Sequence, residues 1–465
     1  MISLHFSYLV VGAIGLYILK SYLTSNRRTA PLPPGPKGLP LVGNINDLPS
    51  VGDQEWKHWL KYKDLYGPIS SITIMGQTLV ILNDAEAAID LLDKRSSRHS
   101  SRPKMMFGGE IEAGAVILKI VYGYTIEPLD QDPFVELADT TMKHFSLATI
   151  PGAWAVDTFP LLRYLPGWLP GMEFKRIGQK WRTELTELVE RPYALGKKRI
   201  GQGMGQNSYI SSLLENNDIK PGTEEDFVAK WSAVSAYGGG SDTTVSSMAC
   251  FFLAMILYPE VASRAQDEID RVIGTDRLPS IDDRKSLPYV DAIVKETLRW
   301  HPVAPLGLAH STTEDDIYRG YLIPKGAIIL PNIWDFTHDP ARYHDPMVFK
   351  PERFLGVEGR APEVDPHTIT FGYGRRICPG RVLADLQLFL NIAQSLAAFK
   401  IGKGIENGKE VDPVVNFEGG IISHPAQYTI SIKPRSPKHE EIIRSVVIQH
   451  PWEESDAKLF ESLKS

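Results

Sequence analysis

From Leu4 to Leu19 the chain is almost continuously apolar, with only His5 and Ser7 as polar interruptions. As a helix this run covers about 24 Å, slightly short of a bilayer's hydrocarbon core of roughly 30 Å. The basic residues Lys20, Arg27 and Arg28 follow the run instead of preceding it, the reverse of a secretory signal. Positive charge on that side places everything downstream in the cytoplasm. Residues 1–24 therefore read as a membrane anchor. Residues 25–40 read as a basic, proline-rich hinge, because five prolines between Pro31 and Pro40 favour a stiff polyproline-type segment. The remaining residues, 41–465, read as one large domain.

Within that domain, Ile69–Met75 and Thr78–Leu82 are β-rich runs around Gly76-Gln77, which predicts a hairpin. Ala85–Asp93 predicts a helix. From about Phe145 onward helical periodicity dominates, broken by Pro and Gly clusters such as Leu165–Gly171. Phe227–Tyr258 predicts a long, largely apolar helix ended by Pro259. Glu260–Ile273 and Pro288–Trp300 are amphipathic, Arg381–Phe399 is a further helix, and Tyr428–Ile432 is a late strand. The expected class is mainly α with a small β domain near the N-terminal end.

Composition narrows the function. With 465 residues, 43% hydrophobic and 23% charged, the chain is globular, and disordered or collagen-like classes are excluded. A net charge of −6 gives no reason to expect a nucleic-acid partner. Two cysteines, Cys250 and Cys378, exclude a disulfide-stapled scaffold, and no Asn-x-Ser/Thr sequon asks for a glycosylated surface. The glycine runs at Gly201 and Gly402 lack the spacing of a dinucleotide loop and follow no predicted strand.

The segment Phe371-Gly-Tyr-Gly-Arg-Arg-Ile-Cys-Pro-Gly380 carries the chemistry. A lone cysteine is usually a small buried hydrophobe, and Cys250 reads that way. Cys378 differs, because glycines on both sides let backbone amides approach its sulfur. It also precedes a helix and neighbours Arg375, Arg376 and Arg381, and dipole and cations alike favour a thiolate. Such a thiolate is a metal ligand or a nucleophile. No cysteine-hydrolase constellation and no second nearby cysteine accompanies it.

Phe371-x-x-Gly374-x-Arg376-x-Cys378-x-Gly380 resembles the haem-ligand loop of the cytochrome P450 monooxygenases. Other segments fall in that family's order. Glu296-Thr-Leu-Arg299 resembles its Glu-x-x-Arg helix, and Pro351-Glu-Arg353-Phe354 resembles the segment that supplies a second arginine. Gly239-Gly-Ser-Asp242-Thr243 resembles the oxygen-activation segment of the long central helix. The anchor and hinge are similar to those of microsomal members. Stretches such as "FPLLRYLPGWLPG" and "RPYALGKK" are similar to a fungal group of O-methylsterigmatocystin oxidoreductase-like monooxygenases.

The resemblance implies a haem b cofactor with Cys378 as the iron ligand. Arg376, His310 and Arg102 would face the haem propionates, and Phe371, Gly374 and Gly380 would shape the loop. Asp242 and Thr243 would deliver protons, in a helix that bulges at Gly238–Gly240 to leave room for O2. Glu296, Arg299 and Arg353 would form a buried structural cluster, although Glu296 and Arg299 by themselves are equally an exposed ion pair one turn apart. Val303, Ala304, Leu306 and Gly307, with Ile421 and Ile422 from the late loop, would line the substrate pocket, a role that such apolar positions share with plain core.

One family feature has no counterpart. After "SSRP" the family carries a variable loop and a helix with Trp-x-x-x-Arg or an aromatic variant, whose arginine contacts the haem. None of the nine tryptophans here has arginine four positions on, and no arginine occurs between Arg102 and Arg163. The chain instead runs from Glu110 straight into Ile111-Glu-Ala-Gly-Ala-Val, which resembles a later helix. The fold is therefore expected to be incomplete after Glu110.

The resemblance implies a membrane-anchored monooxygenase of the endoplasmic reticulum, its catalytic domain facing the cytoplasm. It would insert one atom of O2 into a lipophilic substrate, in fungal secondary metabolism or xenobiotic oxidation, with electrons from NADPH through cytochrome P450 reductase. The missing segment motivates an alternative, a non-catalytic remnant with weak or no haem binding. A haem-dependent isomerase is a further alternative, against which the Asp242-Thr243 pair argues.

Overall fold

The computed structural model describes residues 29–463, apart from 41, 51, 103–114, 129–130, 150–153, 155, 157–159, 204–206, 357–358 and 360. The anchor expected over residues 1–24 and the junction at Glu110 lie outside the described residues.

Helix α1 (Glu55–Tyr66) leads into strands β1 (Ile69–Ile74) and β2 (Gln77–Leu82). They pair antiparallel from Ile69 opposite Leu82 to Ile74 opposite Gln77. The turn is Met75-Gly76, one residue earlier than expected. Both have positive φ (46° and 88°), as a two-residue hairpin turn matching the strand twist requires. The predicted helix at Ala85–Asp93 is α-helical only to Ala88 and continues as a wider π turn over Ile89–Lys94.

Helices α2 (Ala115–Tyr122), α3 (Pro133–Thr149), α4 (Glu173–Gly201) and α5 (Tyr209–Asn216) follow, so helix begins well before Phe145. Next is α6 (Glu224–Leu257), the longest. The Thr223 side chain caps it by accepting from the Asp226 amide, and Glu224, Glu225 and Asp226 sit against its positive end. It is long and apolar enough to cross a membrane. Here, however, it packs among α2, α4, α5 and the helices that follow, as the core helix of a globular body. Helix α7 (Pro259–Val272) starts on a proline at its first position, and so does α8 (Pro288–Trp300), where no amide hydrogen bond is lost.

Short strands β3 (His310–Ser311), β4 (Asp316–Tyr318), β5 (Tyr321–Ile323) and β6 (Ile328–Pro331) come next. Strand β6 pairs parallel with β2 and antiparallel with β3. The sheet expected near the N-terminal end is thus completed by residues from far along the chain. Helix α9 (Arg381–Ala398) runs into β7 (Phe399–Glu406), which pairs with β8 (Lys409–Val411) and β9 (Ile430–Pro434). Helices α10 (Pro437–Gln449) and α11 (Ala457–Glu461) end the chain.

The apolar faces build three main cores. One joins the second half of α6 with α7, α8 and α9 through Phe251, Ile269, Ile293 and Phe389. A second lies under the mixed sheet. The third joins α2 to α6 and is closed by Phe460 of α11, which stacks on Phe134 at 4.8 Å. The proline-rich stretch departs from a free-standing hinge. Ser71 of β1 donates its amide to the Pro34 carbonyl (2.8 Å) and its hydroxyl to the Pro33 carbonyl (2.7 Å), and the Leu322 amide donates to Pro31. A Cβ on Gly35 would sit 1.8 Å from the Ser71 carbonyl oxygen. Residues 31–36 are strapped to the sheet, because a proline-rich strand can still offer its carbonyls to an edge.

Candidate active site

Cys378 lies in the loop that ends at α9, whose N-cap is Gly380. The loop is closed by the Cys378 amide donating to the Phe371 carbonyl at 2.8 Å. Gly374 has φ +54°, and a Cβ there would meet the Leu92 carbonyl oxygen at 2.5 Å. Only glycine fits, and so the loop can seat on the π turn. Burial raises the Cys378 thiol, against the backbone amides of Gly380 and Arg381 and the Arg381 charge, which act to lower it. The amides and the Arg381 charge thus act in the direction expected of dipole and cations, against the loss of water around the sulfur. The aligned amides are ligand-supporting geometry all the same.

Arg102, Arg376 and His310 come together from three parts of the chain. Arg102 donates to the carbonyls of Leu308 and Ala309 (both 2.8 Å), and Arg376 Nε donates to Ser100 (2.8 Å). Burial, and then the nearby Arg376 charge, lower Arg102 to about 10. Burial, with Arg102 and Arg376 nearby, lowers His310 to about 4 despite its hydrogen bond to the His99 carbonyl. That carbonyl can only accept, so Nδ1 carries the proton and Nε2 is left for a further partner. Among the described residues no carboxylate pairs with either arginine, and the buried Ser100 hydroxyl has no hydrogen-bond partner. Two cations facing each other, with an unsatisfied hydroxyl beside them, fit an anionic group such as the propionates of a haem.

Asp242 and Thr243 lie on α6, which packs against α9. The helix runs unbroken through Gly238–Gly240, so no bulge forms there. Thr243 Oγ1 donates to the Gly239 carbonyl (2.9 Å) and Thr244 Oγ1 to that of Gly240 (3.2 Å), local bonds back to the preceding turn. The two glycines have different surroundings. A Cβ on Gly239 meets nothing within 4 Å, whereas one on Gly240 would meet Ile117 of α2 at 2.9 Å. Space is kept at Gly239, and helix packing explains Gly240. Cys250 is fully buried in the same helix, and burial raises its thiol far above the usual range.

Glu296, Arg299 and Arg353 meet with no exposure at all. Arg299 donates to both Glu296 oxygens (2.7 and 2.8 Å), Arg353 Nε reaches one of them at 3.0 Å, and Arg353 Nη1 donates to Glu363 (2.7 Å). The remaining guanidinium protons go to the carbonyls of Thr337, His344, Pro346 and Val348. The cluster ties α8 to the segment that precedes the cysteine loop.

The pocket-wall candidates divide. The Val303 carbonyl accepts from the Ser423 amide at 2.8 Å, which brings it to the loop of Ile421 and Ile422. Ala304 closes a turn by accepting from the Gly307 amide (2.9 Å). Leu306, partly buried, packs against a cluster of α1 and the hairpin, and Ile422, also partly buried, against the third core. Sequence reading missed His424, whose Nε2 lies 2.9 Å from Asp242 Oδ1. No signal in the sequence points to it, because 182 residues separate it from Asp242.

Known proteins supply the remaining frame. The family model described as Cytochrome P450 matches residues 33–113 and then 113–432. The break falls where the family pattern loses a segment after Glu110. Cytochrome P450 monooxygenase claR of Ampulloclitocybe clavipes is 45% identical over 96% of this chain and 94% of its own. Cytochrome P450 monooxygenase ppsD of Aspergillus oryzae is 42% identical over 98% and 99%. An O-methylsterigmatocystin oxidoreductase of Aspergillus flavus is 38% identical over 96% and 95%. The match to claR extends over 513 positions, more than the 465 residues of this chain, so that relative carries residues with no counterpart here. With the family pattern on both sides of residue 113 and relatives this close along nearly the whole length, the chain belongs to the cytochrome P450 monooxygenases.

Proposed function

We propose that this chain is a membrane-anchored haem-thiolate monooxygenase that inserts one atom of O2 into a lipophilic substrate of fungal secondary metabolism. Electrons would come from NADPH through a separate flavoprotein reductase. The observation that carries this reading is the pair of fixtures around one site: an amide-cradled cysteine, and an arginine pair with no carboxylate between among the described residues. Bound haem b would supply O2 activation and oxygen insertion, chemistry that no side chain offers. Cys378 would hold it through sulfur, while Arg102, Arg376 and, once protonated, His310 would bind its propionates. Thr243 offers hydroxyl lone pairs beside the open space at Gly239, and Asp242 is the acid that exchanges protons with solvent. Membrane association has a second support in the segment before α4. There Leu161, Tyr164 and Trp168 are 77%, 69% and 80% exposed, the amphipathic and apolar types that settle at a lipid interface.

The reduced carbon-monoxide difference spectrum tests the reading. A thiolate Soret band that disappears in Cys378→Ala is expected, and a wild-type chain that takes up no haem would overturn it. A second reading, a non-catalytic remnant, is favoured by one observation: the family match breaks at residue 113, where a segment of the family pattern has no counterpart.

A further inference from the structure

Asp242 is held from outside its own helix. Its Oδ1 lies 2.9 Å from His424 Nε2, in the loop between β8 and β9. One turn further along α6, Ser246 Oγ donates to the Ser423 carbonyl at 2.7 Å. Residues four apart share a helix face, so one face of α6 grips two consecutive residues of the loop. The loop is fixed from other sides as well. The Ser423 amide donates to Val303, and the Glu418 amide donates to the His424 carbonyl, both at 2.8 Å. Ser423 Oγ donates to the Glu418 carbonyl (2.7 Å), which leaves it to accept from His301 Nε2 (2.8 Å). Such a grip is more than a solvated surface ion pair would need. Beside it, a cleft of about 520 Å³ lined by Ala249, His424, Gln427 and Tyr428 opens to solvent.

We propose that His424 is a positioning residue for Asp242, fixing the direction of its carboxylate and resupplying it with protons taken from water in the cleft. This deepens the monooxygenase reading and rests on it for the fate of the proton. The exchange balances simply. The imidazolium gives its Nε2 proton to the Asp242 carboxylate and becomes neutral, and water in the cleft reprotonates the ring once Asp242 has passed its proton on.

The charged and titratable groups around the ring agree with that role. Asp242 from α6 acts first through its hydrogen bond and Glu418 adds charge from the loop; together they raise His424 against burial. His301, at the end of α8, is held neutral because burial lowers it far below the usual range. The ring therefore keeps its charge to a higher pH than a free imidazole and loses it as pH rises through the raised value.

Ring signals of labelled histidines, followed against pH, test the pair without any cofactor. The signal lost in His424→Gln identifies the ring among twelve histidines. It should titrate above the usual midpoint of about 6.5 in the wild type and fall back in Asp242→Asn. An unchanged midpoint in Asp242→Asn overturns the proposal. In haem-loaded protein with reductase, His424→Gln should keep the thiolate Soret band yet lower product formed per NADPH by about tenfold. It should also flatten the pH dependence of that ratio between about pH 6 and 8. A wild-type ratio and pH profile in His424→Gln overturn the proposal. Should His424→Gln unfold, Ser246→Ala loosens the same loop, and it should move both readouts part of the way. A wild-type chain without a Soret band would sink the monooxygenase reading and leave the titration to decide the pair.

Discussion

Glu296 holds two guanidiniums where no water reaches, and this sets what its loss means. Arg353 keeps Glu363 as a partner, but Arg299 has only carbonyls besides Glu296. Glu296→Gln preserves shape while stranding buried positive charge, and it should lower unfolding free energy by about 3–5 kcal/mol in a denaturant titration. A loss below about 1 kcal/mol would place the pair with ordinary surface ion pairs instead. His367 offers a contrast in sign. Burial lowers its ring, but hydrogen bonds with Asp365 and Asp385 reverse this and bring it to about 9. Burial raises Asp385, yet His367 and Arg284 hold it down to about 2. With an unfolded value of about 6.5, the charged ring stabilises the fold fully below that pH and loses its contribution as pH rises towards 9. Stability should fall between those limits by on the order of 2–3 kcal/mol, and His367→Gln should remove the slope. A slope that persists in the variant would assign it to other groups. These residues also show what a sequence can reveal. Glu296 and Arg299 are visible as a helical pair, and Cys378 is marked by its glycines. His424 acts through Asp242, and His367 through Asp385 as well as its near neighbour Asp365; only the folded chain brings the distant partners near.

Elements were legible where periodicity and end signals agree. Helix α8 has the predicted limits, Pro288 to Trp300, because a proline opens it and its apolar stripe ends at the tryptophan. The long helix begins three residues earlier than the apolar pattern suggests, since Thr223 and the acidic turn after it cap a polar start. The helix runs unbroken where a bulge is expected, and hydroxyls of Thr243 and Thr244 bond back to the glycine carbonyls there. What the sequence could not convey is that Gly239 and Gly240 have different surroundings. Gly240 lies under Ile117 of α2, which makes packing between α2 and α6 the constraint. Gly240→Ala should therefore be close to neutral, as about 1 kcal/mol of helix propensity is offset by overlap with the isoleucine. In an Ile117→Ala background the same substitution should stabilise by about 1 kcal/mol. A thermodynamic cycle over the four proteins checks this, and additivity of the two changes would mean that the side chains do not touch.

At the scale of the molecule, the break in the family match decides the properties of the site. The chain keeps the cysteine loop and the arginine pair, but the family match breaks at residue 113, soon after Arg102. Without the segment lost there, an apolar cofactor would meet water on that side, and water weakens the interactions that hold and tune it. The resemblance places an additional arginine and a covering helix in the segment that has no counterpart after Glu110. Restoring that segment should then act on cofactor retention before it acts on the fold, because the three cores form from residues already present. Inserting the corresponding stretch of claR between Glu110 and Ile111 should raise the thiolate Soret band per mole of protein several-fold. It should also slow amide exchange over Ile377–Arg381. The unfolding midpoint of the cofactor-free protein should move much less. If haem occupancy is the same with and without the insert, the missing segment is not what limits binding. The shortened chain would then be a competent haem protein in its own right, with Cys378 and the arginine pair sufficient to hold the group.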